Sequence, residues 1–508
     1  MKNLLDNILG YSLDEEQRQV VYDSSKHTIV IAGAGSGKTL TIVGKIRYLI
    51  EEKNIKENEI LCISFTREAC KSLKKKIKSY YNYEIKVYTF HKLSLEIIKE
   101  YSNIEYSIVP SNLLDYITEE YFYSIIKNNK NSMKRVLKYF DKHTIHDIEN
   151  NYIKLLGTNK KEITILINNI IRLIKLFKGK NLSIDKFYDF YLDNSKKYWF
   201  NTKKKNALFL KIAYDIYLLY QEEIKSTNSI DIDDMITIAT DIVKKKYNKK
   251  YKYIIIDEYQ DTNLIRFNLI YEILKKTNAN LLVVGDDFQS IYGFTGCNLS
   301  MFLNFNKYFE DASIYKITTT YRNSEELVNI AGNFIMKNDK QIPKNLKSDK
   351  HLEYPIEVCY ESTKRVLKKL LTKLNARDIL ILARNSFDIY PFLDNELTMD
   401  KDGTIHYHNN TNNIRFLTVQ KSKGLESDNV ILLHVVNDTL GFPNSLKNNK
   451  VFDFLLDNDN LLDEERRLFY VALTRTKNKV YILSDKKRPS IFLKELTHDL
   501  KTITYNEL

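Results

Sequence analysis

Short apolar runs set the frame of this chain before any motif is considered. "HTIVIA" (27–32), "EILCISF" (59–65) and "IKVYTF" (85–90) are rich in β-branched residues, and helical stretches fill the intervals between them. That alternation predicts strand–helix units on a parallel sheet. Between about 93 and 228 the pattern turns helical. In "NKKEITILINNIIRLIKLFKGK" (159–180), Ile163, Ile167, Ile170, Ile171, Ile174 and Phe177 recur every three or four positions and share one helical face. Asn159 and Glu162 have capping-box spacing, and Gly179 is placed to end the helix. A second helix is expected over 206–222. Strands resume at "YKYIIID" (251–257) and "NLLVVGD" (280–286), so the helices read as an insertion within an α/β unit. A further mixed segment begins near 299, with strands expected at 314–321, 378–384, 414–419, 429–436 and 479–484. The polar stretch 400–414 reads as turn-rich surface.

Composition narrows this picture only slightly. A length of 508 residues suits about three domains. No apolar run reaches the roughly 18 residues of a membrane helix. The start, "MKNLLDNILG", makes a poor signal peptide, so a cytoplasmic protein with no membrane partner is expected. Cys62, Cys70, Cys297 and Cys359 lack zinc or disulfide-scaffold spacing and read as thiols in a reducing compartment. The formal charge of +13 would suit a polyanion. The abundance of Lys, Asn, Ile and Tyr is also what an AT-rich genome imposes, so charge alone decides little.

Chemistry enters with two strand ends. "AGAGSGKT" (32–39) follows the first strand and precedes a helix, the setting in which a Gly-rich backbone curls N–H groups around phosphate. Ala32, Gly33, Ala34, Gly35, Ser36 and Gly37 form the turn, Lys38 would reach the terminal phosphates, and Thr39 would hold Mg²⁺ through its hydroxyl. Ala32 stands where a glycine is common. The second strand end, "YIIIDEYQD" (253–261), crowds Asp257, Glu258 and Asp261 behind three isoleucines. Buried like charges repel, so something positive must meet them. Asp257 fits a Mg²⁺ ligand and Glu258 the residue that orients attacking water. Asp261 fits a cap or a salt bridge.

With "SLDEEQRQVV" (12–21) upstream, these segments resemble the UvrD/Rep/PcrA group of superfamily 1 helicases. The remaining motifs follow in that family's order: "ISFTREAC" (63–70), "VYTFHKLS" (87–94), "VVGDDFQSIYGFTG" (283–296), "TTTYRNS" (318–324), "LTVQKSKGLE" (417–426) and "DEERRLFYVALTRTK" (463–477). The resemblance implies an α/β fold of two RecA-like P-loop domains with one helical insertion. It places the first RecA-like domain at 1–92 and 229–298, the insertion at 93–228, and the second domain at 299–508. The second insertion of larger relatives is absent or vestigial, because too few residues separate 384 from 414.

The same resemblance implies roles. Gln17 would read adenine, Tyr321 would stack on it, and Glu426 would approach the ribose. Arg322 and Arg475 would neutralise phosphate charge from the opposite domain, and Gln289 would couple that site to DNA. Phe65, Tyr292 and Phe294 would stack on bases, while Thr66, Thr89 and His91 would contact phosphates or sugars. ATP and Mg²⁺ are the implied cofactors, and single-stranded or 3′-tailed DNA the implied track. A protein partner such as a nuclease, polymerase or repair or replication factor is a further expectation. The alternative is a partner-dependent regulatory ATPase of a phage-defence or polymerase-remodelling assembly, with little unwinding of its own. Phe294-Thr295-Gly296, Gln420 and Leu40 depart from the family's usual residues, and none of these touches the hydrolytic set.

Overall fold

A computed structural model describes residues 4–142, 147–182, 184–196, 200–374, 377–408, 410–445, 451–452, 461–496 and 500–504. The chain lays down β1 (His27–Ala32), β2 (Ile60–Ile63) and β3 (Lys86–Tyr88), and then leaves through β4 (Ser107–Ile108). It returns through β5 (Ser229–Ile230) and adds β6 (Tyr253–Ile256), β7 (Asn280–Gly285) and β8 (Ser313–Ile317). The first sheet runs β3-β2-β6-β7-β1-β8, all parallel. Its inner strands β2, β6 and β7 are nearly unbroken apolar runs because both faces are covered. Ile254 and Ile256 pack with helices Phe90–Tyr101, Ile232–Lys246 and Leu264–Thr277. Ile255 faces the other layer, with helices Glu15–Tyr22, Lys38–Glu51 and Arg67–Tyr81.

A second sheet takes β9 (Ile356–Cys359), β10 (Asp378–Ala383), β11 (Leu397–Met399), β12 (Thr404–Tyr407), β13 (Asn410–Thr418), β14 (Asn429–Leu432), β15 (Val480–Leu483) and β16 (Lys501–Thr502). Its order is β11-β12-β13-β10-β14-β15-β9-β16. All neighbours are parallel except β11–β12 and β12–β13. Two parallel-sheet cores with many helices are the α/β architecture expected for a pair of RecA-like units.

Between β4 and β5 the helices close around their own core, from Leu114 to Ile224. Ile163, Ile167, Ile170, Ile171, Ile174 and Phe177 all lie in it, as their spacing predicts. β4 and β5 pair with each other at the neck, where Lys178 lies 2.5 Å from Asp231 and 2.8 Å from Asp234. Val451 and Phe452, which come from the stretch between β14 and β15, are buried in the same helical core.

Four expectations are corrected. The segment at 314–321 is not a strand of the second unit: β8 hydrogen-bonds to β1 at the edge of the first sheet, so that sheet extends past 299. Its alternating burial suits an edge position. Helix Phe90–Tyr101 packs on the first sheet, so the self-contained helical core begins after 93. The stretch 400–414 is largely strand, turning at Gly403 (φ +89°), with Ile405 and Tyr407 buried and His406 exposed. Its polar alternation belongs to a sheet covered on one face. Asn159 occupies the N-cap position of helix Lys160–Gly179 but makes no side-chain cap bond.

Candidate nucleotide and nucleic-acid site

β1 delivers the chain into a tight turn, and helix Lys38–Glu51 starts at once. Gly35 and Gly37 sit at φ +73° and +78°, where L side chains are strained. A Cβ at Gly35 would lie 2.6 Å from Arg322 Cβ, and one at Gly37 2.7 Å from Gln17 Nε2. Neighbours hold the turn through its carbonyls. Ser36 Oγ donates to Gly33 O (2.9 Å), Gln17 Nε2 to Ser36 O (3.0 Å) and Thr320 Oγ1 to Ala34 O (2.7 Å). The backbone N–H of Tyr321 donates to Gly35 O at 3.0 Å. No side chain caps the helix at Gly37, so its first N–H groups are left for a ligand, and an anion fits there.

The acidic strand end meets two lysines. Lys38 Nζ lies 3.7 Å from Glu258 Oε1. Lys423, from the second unit, lies 2.5 Å from Asp261 Oδ2 and 3.9 Å from Glu258 Oε2, and donates to Gln289 O at 2.7 Å. Asp261 is therefore a salt-bridge partner. Glu258 holds a left-handed backbone (φ +54°), which among described residues other than Gly, Asn and Asp it shares only with Leu9 and His434. Burial works against its charge, but Lys38 and Lys423 outweigh it and keep the carboxylate ionised. Burial and the Glu258 charge push Asp257 upward. Among the described residues no ion pair reaches Asp257, so a divalent cation beside Asp257 and Thr39 fits the unmet charge.

Arg322 and Arg475 line the same cavity. Arg475 is 1% exposed, and its Nη2 donates to Gln289 Oε1 at 3.0 Å and its Nη1 to Leu425 O at 3.2 Å. Burial and the charge of Arg322 lower its pKa to about 9, which leaves it a cation near neutrality. Arg322 Nε lies 3.0 Å from Glu426 Oε2, and its Nη1 donates to Thr474 O at 3.2 Å. Lys38, Thr39, Asp257, Glu258, Gln289, Arg322, Lys423, Glu426 and Arg475 all line one cavity of about 520 Å³. The expectation that Arg322 comes from the opposite domain is corrected in part. It follows β8 of the first sheet and reaches across to Glu426 and Thr474 of the second unit.

Lys423 is the residue that sequence reasoning missed. It stands inside "LTVQKSKGLE", and the three crowded carboxylates called for a cation, but nothing local distinguishes it from Lys421. Gln17 also differs from expectation. It is fully buried, its Oε1 accepts from Asp14 N (3.1 Å) and its Nε2 is held by Ser36 O. Both ends of the amide are engaged within the protein, so in this structure Gln17 braces the phosphate turn. Tyr321 is 48% exposed, and its hydroxyl donates to Asp14 at 2.6 Å.

The residues expected on a nucleic-acid track are divided. Phe65, Thr66 and Tyr292 line the same cavity as Lys38, whereas Thr89 and His91 do not. Phe65 packs edge-on to Phe90 (5.5 Å) beneath Arg266 (5.0 Å). Thr66 and Thr89 each cap a helix, accepting from Ala69 N (3.1 Å) and Lys92 N (3.2 Å). His91 Nε2 is buried with no hydrogen-bond partner among the described residues, and burial together with Arg266 and Arg67 lowers the imidazole pKa to about 4. Tyr292 bridges the two units, its hydroxyl donating to Gln420 O at 3.3 Å. The side chain of Phe294 lies outside the described residues.

Comparison with known proteins agrees with this geometry. The UvrD/REP helicase N-terminal domain matches residues 13–310, and the viral superfamily 1 RNA helicase core domain matches residues 236–484. A probable DNA helicase II homolog of Mycoplasma capricolum is 30% identical over 400 residues, 75% of this chain and 50% of the relative. DNA helicase IV of Escherichia coli is 27% identical over 95% of this chain and 70% of its own length. ATP-dependent DNA helicase PcrA of Bacillus subtilis is 27% identical over 68% of this chain and 42% of its own. The chain thus spans about half the length of most of these relatives. With more than half of its residues matched to the family's N-terminal domain, and with the phosphate turn and both arginines gathered on one cavity, the chain belongs to the UvrD/Rep helicase family.

Proposed function

We propose that the chain is an ATP- and Mg²⁺-dependent translocase on single-stranded DNA, moving 3′ to 5′, and a 3′–5′ helicase on tailed duplex. The observation that carries this reading is the single cavity lined from one side by Lys38, Thr39 and Glu258 and from the other by Arg475, Lys423 and Glu426. The polarity follows the family resemblance, and a cytoplasmic setting goes with the proposed DNA track.

The turn 32–37 and Lys38 hold the phosphates of ATP. Thr39 and Asp257 would hold Mg²⁺, which neutralises phosphate charge when bound. Glu258, kept ionised by its two lysines, accepts a hydrogen bond from the attacking water and orients it. Arg322 and Arg475 offset the charge that spreads over the transferred phosphoryl group. Tyr321 would stack on the base, a role that its exposed ring and its hydrogen bond to Asp14 support. Because the two sides of the cleft come from different sheets, hydrolysis requires their approach, and release permits their separation. Phe65, Tyr292 and Phe294 would stack on successive bases, each worth about 1–3 kcal/mol irrespective of sequence. Thr66, Thr89 and His91 would touch the backbone.

ATP turnover, measured with and without single-stranded DNA, tests this. Wild type is expected to be stimulated and Lys38→Ala to be inactive; hydrolysis indifferent to DNA would refute the track. A second reading, a partner-dependent ATPase, is favoured by the span from β10 to β13, which among its described residues holds a 3₁₀ segment and a hairpin where the family resemblance implies a helical insertion in larger members. Strand separation on a 3′-tailed duplex by the isolated chain distinguishes the two.

A further inference from the structure

Building on the ATPase reading, we infer that Lys344, a residue outside all the motifs above, is a positioning residue that fixes Arg475 in the cleft through Asp286 and Gln289. Lys344 lies between helix Glu325–Ile335 and β9, and its side chain is 1% exposed. The ammonium sits 2.5 Å from Asp286 Oδ1, 2.6 Å from Asp287 Oδ1 and 3.9 Å above the Phe288 ring. It also donates at 3.4 Å to the carbonyl of Ala32, where β1 passes into the phosphate turn. Burial alone would lower its pKa; the two carboxylates outweigh that and raise it, so the group stays charged.

Asp286 is a branch point. Its Oδ2 accepts from Gln289 Nε2 at 2.5 Å, and Oε1 of the same amide accepts from Arg475 Nη2 at 3.0 Å. The backbone N–H of Asp286 donates to Gln260 Oε1 at 3.0 Å, and Gln260 Nε2 donates to Glu258 Oε2 at 2.6 Å. Two amides therefore run from one residue, one to the arginine wall and one to the water-orienting carboxylate. A carboxamide donates at one end and accepts at the other, so an acceptor fixed at Asp286 forces Gln289 to present oxygen to Arg475. Lys344 fixes that acceptor. The same connection is tied to the second unit. Asp287 Oδ2 accepts from Gln341 Nε2 and from Ile342 N, each at 2.8 Å, and Gln341 Oε1 accepts from Arg467 at 3.3 Å. Arg467 belongs to helix Leu461–Leu473, which ends just before Arg475.

A buried charge cluster is a poor choice for adhesion alone, since apolar side chains of similar volume commonly serve as well or better. Here the cluster sets the direction of hydrogen bonds, which apolar packing cannot do.

Lys344→Met keeps the length of the side chain and removes its charge. The expected result is a fall of about tenfold or more in kcat for ATP, with and without DNA, while KM for ATP changes by less than about threefold. Lys178→Met is the matched control, because it also removes a buried ammonium between two aspartates, at the neck of the helical insertion. Both variants lower the unfolding temperature; only Lys344→Met lowers kcat. If Lys344→Met does not fold, Lys344→Met/Asp287→Asn keeps the net charge of the native cluster, and Asp286 still lacks its cation. The same loss of kcat is expected. Wild-type kcat in either folded Lys344 variant, or an equal loss in Lys178→Met, overturns the inference. A wild type that hydrolyses ATP without responding to DNA removes the track but not this role, which is read on basal kcat; an inactive wild type overturns both.

Discussion

His91 shows what one side chain contributes when its surroundings fix its charge. Its imidazole is lowered to about 4 in the folded protein, against about 6.5 in an unfolded chain. The unfolded state therefore gains a proton first as pH falls. The stability that neutral His91 contributes is complete above about pH 6.5 and is lost progressively toward pH 4. Urea unfolding of wild type and His91→Gln between pH 4 and 8 is expected to show a shallower acid decline in the variant; parallel curves would contradict this. Residues whose chemistry depends on chain neighbours were legible in sequence. Gly35, Gly37, Lys38, Asp257 and Glu258 stand where their motifs placed them relative to a strand end. Lys423 and Lys344 were not legible, because each acquires its role from carboxylates far away in the chain.

Among elements, the apolar periodicity of 159–180 and the buried runs of β1, β6 and β7 were plain from sequence, since burial on one stripe or on both faces leaves a regular pattern. Edge strands left a weaker mark. β8 has the polar alternation of an edge, and β11 and β12 form an antiparallel hairpin added outside β13, so neither reads as a core strand. The docking of Phe452 into the helical insertion had no local signal at all. Its ring is fully buried beside Phe209 (6.4 Å) and under Arg172 (4.8 Å). Removing a buried phenyl group leaves a cavity that costs about 3–5 kcal/mol. Phe452→Ala is therefore expected to speed amide exchange in helices Lys160–Gly179 and Phe200–Ser226 while leaving β1 and β7 protected. Unchanged exchange in both helices would show that Phe452 does not support the insertion.

For the whole molecule, the physical problem is how three carboxylates can be concentrated at one strand end. The answer combines charges from both sheets: Lys38 from one side, Lys423 from the other, and two arginines beyond them. Lys38 meets Glu258 within its own unit, whereas Lys423 reaches Asp261 from the opposite one, so the charge balance is completed across the cleft. The order of motifs predicted two α/β units, but the seam between them lies beyond β8 and could be seen only once strands were paired. The central claim is that hydrolysis needs both walls. Its most direct test is single-turnover ATP hydrolysis by Arg475→Ala at saturating nucleotide. The account predicts a rate lower by about 10³ or more with ATP still bound. A rate equal to that of wild type would contradict it.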